Sequence, residues 1–192
     1  MKKIVIVGGS KGIGQAIVNS LQNENLVVNI SRSAPLLPHA NVTHYNCDIL
    51  TDELPDIDAV DTLIYCPGSI NLKPISRLKL EDFRNDFEIN VIGAVKTIQL
   101  YLPQLKRGNK PSIVLFSTVA TTLGMPFHAS VAAAKSAVEG LVKSLGAELA
   151  PTIRVNAIAP TVTDTELASK ILRNEKMIDM ITERHPLKKF LN

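Results

Sequence analysis

Six short strand-like runs punctuate the chain, and helical patterns separate most of them. "KIVIV" near the start is an apolar β-branched run suited to a strand buried on both faces. "LVVNI", "VTHYNC", "DTLIYC", "PSIVLFS" and "TIRVNAIA" are the other five. "QAIVNSLQNE" reads as an amphipathic helix, and two longer helical stretches run from about Glu81 to Gln104 and from His128 to Ala150. Strands alternating with helices over a whole chain predict an α/β fold, a doubly wound parallel sheet in a three-layer α/β/α sandwich. No internal repeat, low-complexity segment or boundary interrupts the pattern, so residues 1–192 are expected to form a single domain. After Pro160 strand signals stop, and the chain reads as helical segments closing in a basic tail.

Within "HASVAAAKSAVEGLVKSL" the apolar stripe steps through Val131, Val138, Val142 and Leu145 by threes, fours and sevens. Lys135 falls on the same stripe. A lysine is almost never fully buried unless paired, so this position predicts a partner for the ammonium.

Ligands of doubly wound sheets bind beyond the carboxyl ends of the strands. Four turns share that address: "GGSKGIG" after the first strand, "CPG" after the fourth, "STVA" after the fifth and "IAPT" after the sixth. In the first of them, Gly8, Gly12 and Gly14 lie between a buried strand and a helix start. Glycines there let the backbone turn tightly and approach a ligand, and the helix start offers free N–H groups to an anion such as a pyrophosphate. The spacing G-x-x-x-G-x-G differs from the G-x-G-x-x-G fingerprint, and the turn lacks the G-K-[ST] ending of a P-loop, which speaks against ATP or GTP hydrolysis. A ligand-free βα turn is the competing reading. The second strand ends "NISRS", where Arg32 stands in place of the carboxylate that favours NAD, and Lys11 sits inside the glycine turn. Two cations with no acid beside them in sequence favour the 2′-phosphate of NADP(H) over NAD(H).

Composition narrows the alternatives. A net charge of +3 and 4% aromatic residues give neither the basic surplus nor the stacking surface of a nucleic-acid binder, and "KRGNK" at Lys106 to Lys110 reads as a solvated loop. Cys47 and Cys66 fit no metal spacing or disulfide framework, which favours a reducing interior. The apolar run after "MKK" is too short for a signal peptide, and no stretch approaches membrane-spanning length. The expectation is a cytoplasmic protein acting on a small molecule, with no nucleic-acid or membrane partner.

These motifs, in this order, resemble the short-chain dehydrogenase/reductase family over nearly the whole chain, which implies a Rossmann-type fold. By that resemblance "GGSKGIG" is the cofactor turn, implicating Ser10 and Ile13 beside the three glycines and Lys11. "CDI" implicates Asp48 and Ile49 at adenine, and "YCPG" keeps only Gly68 of the usual Asn-Asn-Ala-Gly. "INVIGA" supplies Asn90, which organises a proton relay. "IVLFSTVA" puts Thr118 in the role of the catalytic serine. "RVNAIAPTVTDT" places Pro160, Val162 and Thr165 near the nicotinamide, with Thr161 replacing a glycine. Lys135 becomes the lysine of a Tyr-x-x-x-Lys pair, holding the nicotinamide ribose. The tyrosine position is Val131, which can neither donate nor accept a proton. His128, three residues earlier, is either a substitute acid or an exposed residue at the helix start.

The resemblance therefore implies an NADP(H)-dependent oxidoreductase for a carbonyl or alcohol, with Thr118, Lys135 and Asn90 as its catalytic groups. The alternatives are a non-catalytic NADP(H)-binding relative, acting as sensor or partner subunit, and a scaffold without cofactor. Residues from about 161 to 192 correspond to the substrate loop. Family members usually continue past "HPLKKF" through a helix and a final strand, so an exposed edge strand is expected here. The long helices after the fourth and fifth strands permit a homodimer.

Overall fold

A computed structural model describes residues 1–169, 172 and 174–189. In chain order the elements are β1 (Lys3–Val7), α1 (Gly12–Leu21), β2 (Leu26–Ser31), β3 (Val42–Asn46), β4 (Thr62–Tyr65), α2 (Leu80–Phe87), α3 (Gly93–Leu105), β5 (Ser112–Phe116), α4 (Ala120–Leu123), α5 (Ala129–Leu149), β6 (Arg154–Ile158) and α6 (Glu175–Arg184). All six strand-like runs of the sequence are strands. The helical stretch expected over about Glu81 to Gln104 is one continuous run, in which a π-helical turn at Glu88–Ile92 joins α2 to α3. The expected segments beyond Pro160 include a short 3-10 turn at Glu166–Ala168 and α6, while residues 170, 171, 173 and 190–192, the last holding the end of the basic tail, lie outside the described residues.

The strands form one parallel sheet in the order β3-β2-β1-β4-β5-β6. Val5 pairs with Val28 on one side and Leu63 on the other, which places β1 at the centre. Central parallel strands are covered on both faces, which is why β1 tolerates five consecutive apolar or half-apolar positions. Their side chains divide between two clusters. Val5, Val7, Leu63, Tyr65, Ile113 and Leu115 pack under α3 and α5, while Ile4, Ile6, Ile64 and Phe116 pack on the α1 side with Val18. This is the doubly wound α/β architecture that the strand–helix alternation predicts.

The strand order reverses between β1 and β4. The chain leaves β1 toward one edge and returns at β4 to build toward the other, so a crevice opens at their carboxyl ends. Gly8 N donates to Ile30 O at 2.8 Å and Cys66 N to Val7 O at 3.0 Å, which carries the pairing up to the lip of that crevice. At the far edge β6 pairs only with β5 among the described residues, and Arg154, Asn156, Ala157 and Ile158 are exposed, as expected for an edge strand. Among the described residues no helix is long and apolar enough to cross a membrane.

Candidate active site

The glycine turn is built as its spacing predicts. Gly8 and Gly12 have φ of 78° and 52°, the left-handed region where a side chain is strained. A Cβ on Gly14 would lie 2.2 Å from Gly8 O, so the turn closes on the helix only because that atom is absent. Lys11 is the N-cap of α1 and makes no side-chain cap, which leaves first-turn N–H groups open at the crevice. A buried network holds the turn from below. Asn29 is fully buried in β2; its Oδ1 accepts from Gly9 N at 3.0 Å and its Nδ2 donates to Ser10 Oγ at 2.9 Å. Ser10 Oγ lies 2.6 Å from Ser31 Oγ and also reaches Ser33 O. The sequence reading passed over Asn29, whose signal is a lone amide inside an otherwise apolar buried run.

Two clefts meet at this edge. The first, of about 430 Å³, is lined by Gly8, Ser10, Lys11, Arg32, Asp48 and Ile49, and by Gly68. Arg32 projects into solvent, 3.8 Å from Asp48 Oδ2, and Lys11 Nζ lies 2.8 Å from Glu166 Oε2. Neither acid adjoins its cation in sequence; the fold brings them from the loops after β3 and β6. Both cations are largely exposed, so the pairs hold them weakly. Asp48 is itself oriented, its Oδ1 accepting from Leu50 N at 3.0 Å and its N–H donating to Asp52 Oδ2 at 2.8 Å.

The second cleft, of about 180 Å³, shares Gly68 with the first and brings together Ile13, Thr118, Lys135, Pro160, Val162 and Thr165. Gly12, Ile13, Pro160 and Thr165 also border an outer groove beside α1, and Thr165 sits 3.2 Å from the place a Cβ on Gly12 would take. Of the residues singled out in the sequence, Gly12, Gly14 and Asn90 line neither cleft, Gly12 bordering only the outer groove. Gly14 is a spacer under the turn, and Asn90 is buried behind Gly68.

Lys135 is 8% exposed, as its place on the apolar stripe predicts. Its partner is a backbone group: Nζ donates to Phe116 O, at the end of β5, at 2.8 Å. Burial pulls its pKa down to about 8, and nearby Cys66 and Asp86 partly oppose that pull. A Cβ on Gly68 would come within 3.4 Å of Nζ and 3.1 Å of Asn90 Oδ1. The missing side chain therefore leaves both atoms facing the junction of the clefts. Asn90 Nδ2 donates to Asp86 O at 2.7 Å and Ser69 Oγ at 3.1 Å, but its buried Oδ1 has no partner among the described residues. Asn90 sits on the π turn, and Tyr65 Oη fixes that turn by donating to Ile89 O at 2.7 Å. Such turns are frequent at functional sites because they re-aim one side chain within a helix.

Two further carboxylates went unnoticed in the sequence. Asp86 is fully buried, and its Oδ1 accepts from Ser69 Oγ at 2.5 Å and Asn71 Nδ2 at 2.8 Å. Glu139, one turn beyond Lys135 on α5, accepts from buried Ser117 Oγ at 2.5 Å and lies 2.7 Å from Thr121 Oγ1. Those hydroxyls hold its carboxyl below the usual carboxylate range. They also tie the turn carrying Thr118 to α5, and Thr118 Oγ1 accepts from Ala120 N at 3.3 Å. Val131 is 5% exposed and lines the second cleft one helical turn before Lys135, presenting methyl groups only.

A nicotinamide dinucleotide fits these residues on structural grounds. The glycine turn and open helix start suit a pyrophosphate. The orphaned Asn90 Oδ1 and the cradle over Gly68 suit a sugar hydroxyl that passes from one cleft to the other.

Comparisons with known proteins agree. Residues 7–192 match the family described as enoyl-(acyl carrier protein) reductase. The chain is 28% identical to 2,5-dichloro-2,5-cyclohexadiene-1,4-diol dehydrogenase of Sphingobium indicum, over 98% of this chain and 84% of that one. It is 25% identical to carbonyl reductase (NADPH) 2 of Sus scrofa, over 98% and 82%. The ligand-free structure of Thermoplasma acidophilum aldohexose dehydrogenase superposes with a TM-score of 0.88 at 26% identity, covering 99% of this chain and 81% of that one. The six-stranded parallel sheet, the motifs beyond its carboxyl edge and the match over residues 7–192 together make this chain a member of the short-chain dehydrogenase/reductase family of oxidoreductases.

Proposed function

We propose that the chain is an NADP(H)-dependent oxidoreductase interconverting a small carbonyl compound and its alcohol. The observation that carries this reading is the pair of clefts meeting at Gly68, with cations at one end and Lys135 and Thr118 at the other. The glycine turn from Gly8 to Gly14, with Ser10 and Ile13, would hold the pyrophosphate. Asp48 and Ile49 would flank the adenine, and Arg32 and Lys11 would meet the 2′-phosphate. Asn90 and Lys135 would bond the nicotinamide ribose, with Pro160, Val162 and Thr165 beside the ring. When bound, the nicotinamide supplies or accepts a hydride. Thr118, at the end of β5, would hold the substrate oxygen by its hydroxyl. A relative named carbonyl reductase (NADPH) supports both the cofactor and the chemistry.

Val131 favours a second reading, a relative that binds NADP(H) without turnover, because a positioned general acid contributes roughly 10²–10⁴-fold in rate. Fluorescence titration with NADPH and NADH, followed by a panel of ketones and aldehydes monitored by NADPH loss, separates the two. Tight NADPH binding with measurable loss supports the oxidoreductase; binding with a flat panel supports the second reading; binding of neither removes both.

The cellular setting we propose is the cytoplasm, where Cys47 and Cys66 stay free thiols. The assembly we propose is a homodimer through α2–α3 and α5, whose surface includes exposed Phe87, Ile92 and Leu100. Light scattering on the purified chain tests the dimer, and a monomer at micromolar concentration refutes it.

A further inference from the structure

Methyl groups at Val131 leave the second cleft in need of a proton donor. Several groups lining it carry a proton. The hydroxyls of Thr118 and its neighbours are too weakly acidic to give one up to a carbonyl oxygen. Burial pushes the Cys66 thiol up to about 12. The Lys135 ammonium is committed to Phe116 O and faces the junction at Gly68, on the side where the ribose is expected. The remaining group is the imidazole of His128.

Three features place it. His128 is the N-cap residue of α5, and the spacing of three to Val131 and seven to Lys135 puts all three on one helix face. All three line the same cleft, and His128 is partly exposed there. Its Nδ1 lies 2.7 Å from Pro126 O. A carbonyl oxygen only accepts, so Nδ1 carries the proton and Nε2 is the atom left to gain and lose one. The turn that delivers this geometry is strained. Phe127 has φ of 70°, a conformation bulky residues rarely adopt, and its carbonyl is held by Lys73 N at 3.2 Å. Strain of this kind, kept in place by its surroundings, gathers at functional sites.

We infer that His128 is the acid–base residue of this site, giving its Nε2 proton to the substrate oxygen in reduction and taking it back in oxidation. The inference rests on the oxidoreductase reading above. In reduction a bound reduced nicotinamide would supply the hydride to the carbonyl carbon, the C=O π bond would break, and the oxygen would take the Nε2 proton of the His128 imidazolium to give the alcohol. His128 is left neutral and regains its proton from water. Thr118 orients the oxygen, and Lys135 keeps its place at the ribose.

The test compares the native chain with His128→Gln and His128→Ala, using the same ketone and aldehyde panel and a separate NADPH titration. Turnover is expected to fall roughly 10²-fold or more in both variants with NADPH affinity unchanged, and added imidazole should restore a substantial part of it in His128→Ala only. A readout independent of turnover is the tautomer. In ¹⁵N–¹H correlation spectra, the histidine signal missing from His128→Gln should be the Nδ1–H form when neutral. The Nε2–H form overturns the inference. So does native turnover that survives His128→Gln, or a loss in His128→Ala that imidazole leaves untouched, which marks a structural role. A native chain that binds NADPH and reduces nothing overturns the acid assignment alone, whereas failure to bind NADPH overturns the oxidoreductase reading beneath it.

Discussion

Burying Lys135 opposes folding, and the opposition has a pH signature. Its pKa falls from the ordinary 10.5 to about 8 in the folded chain. At about 1.36 kcal/mol per unit, enclosing the ammonium destabilises the fold by about 3 kcal/mol wherever the side chain is charged in both states. The unfolded chain binds the extra proton between about pH 8 and 10.5, so this contribution makes native stability rise with pH across that window. The penalty is fully present below pH 8 and gone above 10.5. Between about pH 7 and pH 9.5 roughly 2 kcal/mol of it is relieved.

Lys135→Met keeps the length of the stem and removes the charge. It also strips Phe116 O of its donor, an additional cost of about 1–3 kcal/mol that does not vary with pH. Urea unfolding followed by circular dichroism, on both proteins at both pH values, therefore yields two stability curves that converge or cross as pH rises through 8, native gaining on variant by about 2 kcal/mol. Subtracting the variant cancels every other titrating group common to the two chains. A difference between the proteins that changes by less than about 0.5 kcal/mol over that range would show the ammonium to be hydrated and the burial argument wrong.

Other perturbations read other parts of the site. Gly14→Ala forces a Cβ against Gly8 O, where backbone must move, so nucleotide binding should vanish and stability drop by about 1–3 kcal/mol; an unchanged melting temperature contradicts this. Arg32→Ala should weaken NADPH roughly 10-fold or more and leave NADH alone, and equal losses for both would remove Arg32 from the 2′-phosphate. Glu139→Ala leaves the buried Ser117 hydroxyl without its acceptor, so denaturant midpoints should reveal a loss of about 1–3 kcal/mol, and kcat should fall more than KM rises because the Thr118 turn loosens. Val131→Tyr should raise carbonyl turnover by roughly 10-fold or more and make His128→Gln nearly silent in that background, since two donors then compete for one oxygen; additive effects would mean the groups act on separate steps.

The strands and the glycine turn were legible in the sequence because short-range physics specifies them. Buried parallel strands need apolar runs, and the turn after β1 needs glycine where φ is positive. Lys135 was legible as an anomaly for the same reason, since helical periodicity assigns it to the buried face. Its partner was not, because Phe116 O is a backbone atom on another element and no side chain advertises it. Asp48 beside Arg32, and Glu166 beside Lys11, were invisible because each pair closes only when distant loops converge. The π turn at Glu88–Ile92 also escaped a reading based on a period of 3.6, which registers one long helix where the backbone inserts an extra residue and turns Asn90 inward. Asn29 alone was recoverable in principle, as an amide in a buried strand that must have found partners.

Taken together, the unfavourable features of this chain sit in one place. Among the described residues, a buried ammonium, an orphaned Asn90 Oδ1, an orphaned Asp86 Oδ2 and a left-handed Phe127 lie around the second cleft and its junction with the first. None helps the free protein fold, and apolar residues of similar size at the first three positions would spare it their desolvation. Two of them face the junction of the clefts, where a ribose hydroxyl would meet Lys135 Nζ and Asn90 Oδ1. Val131 lies among these groups in the second cleft, with His128 and Lys135 on the same helix face. The desolvation cost gathered around this cleft is what a ligand bound there would offset.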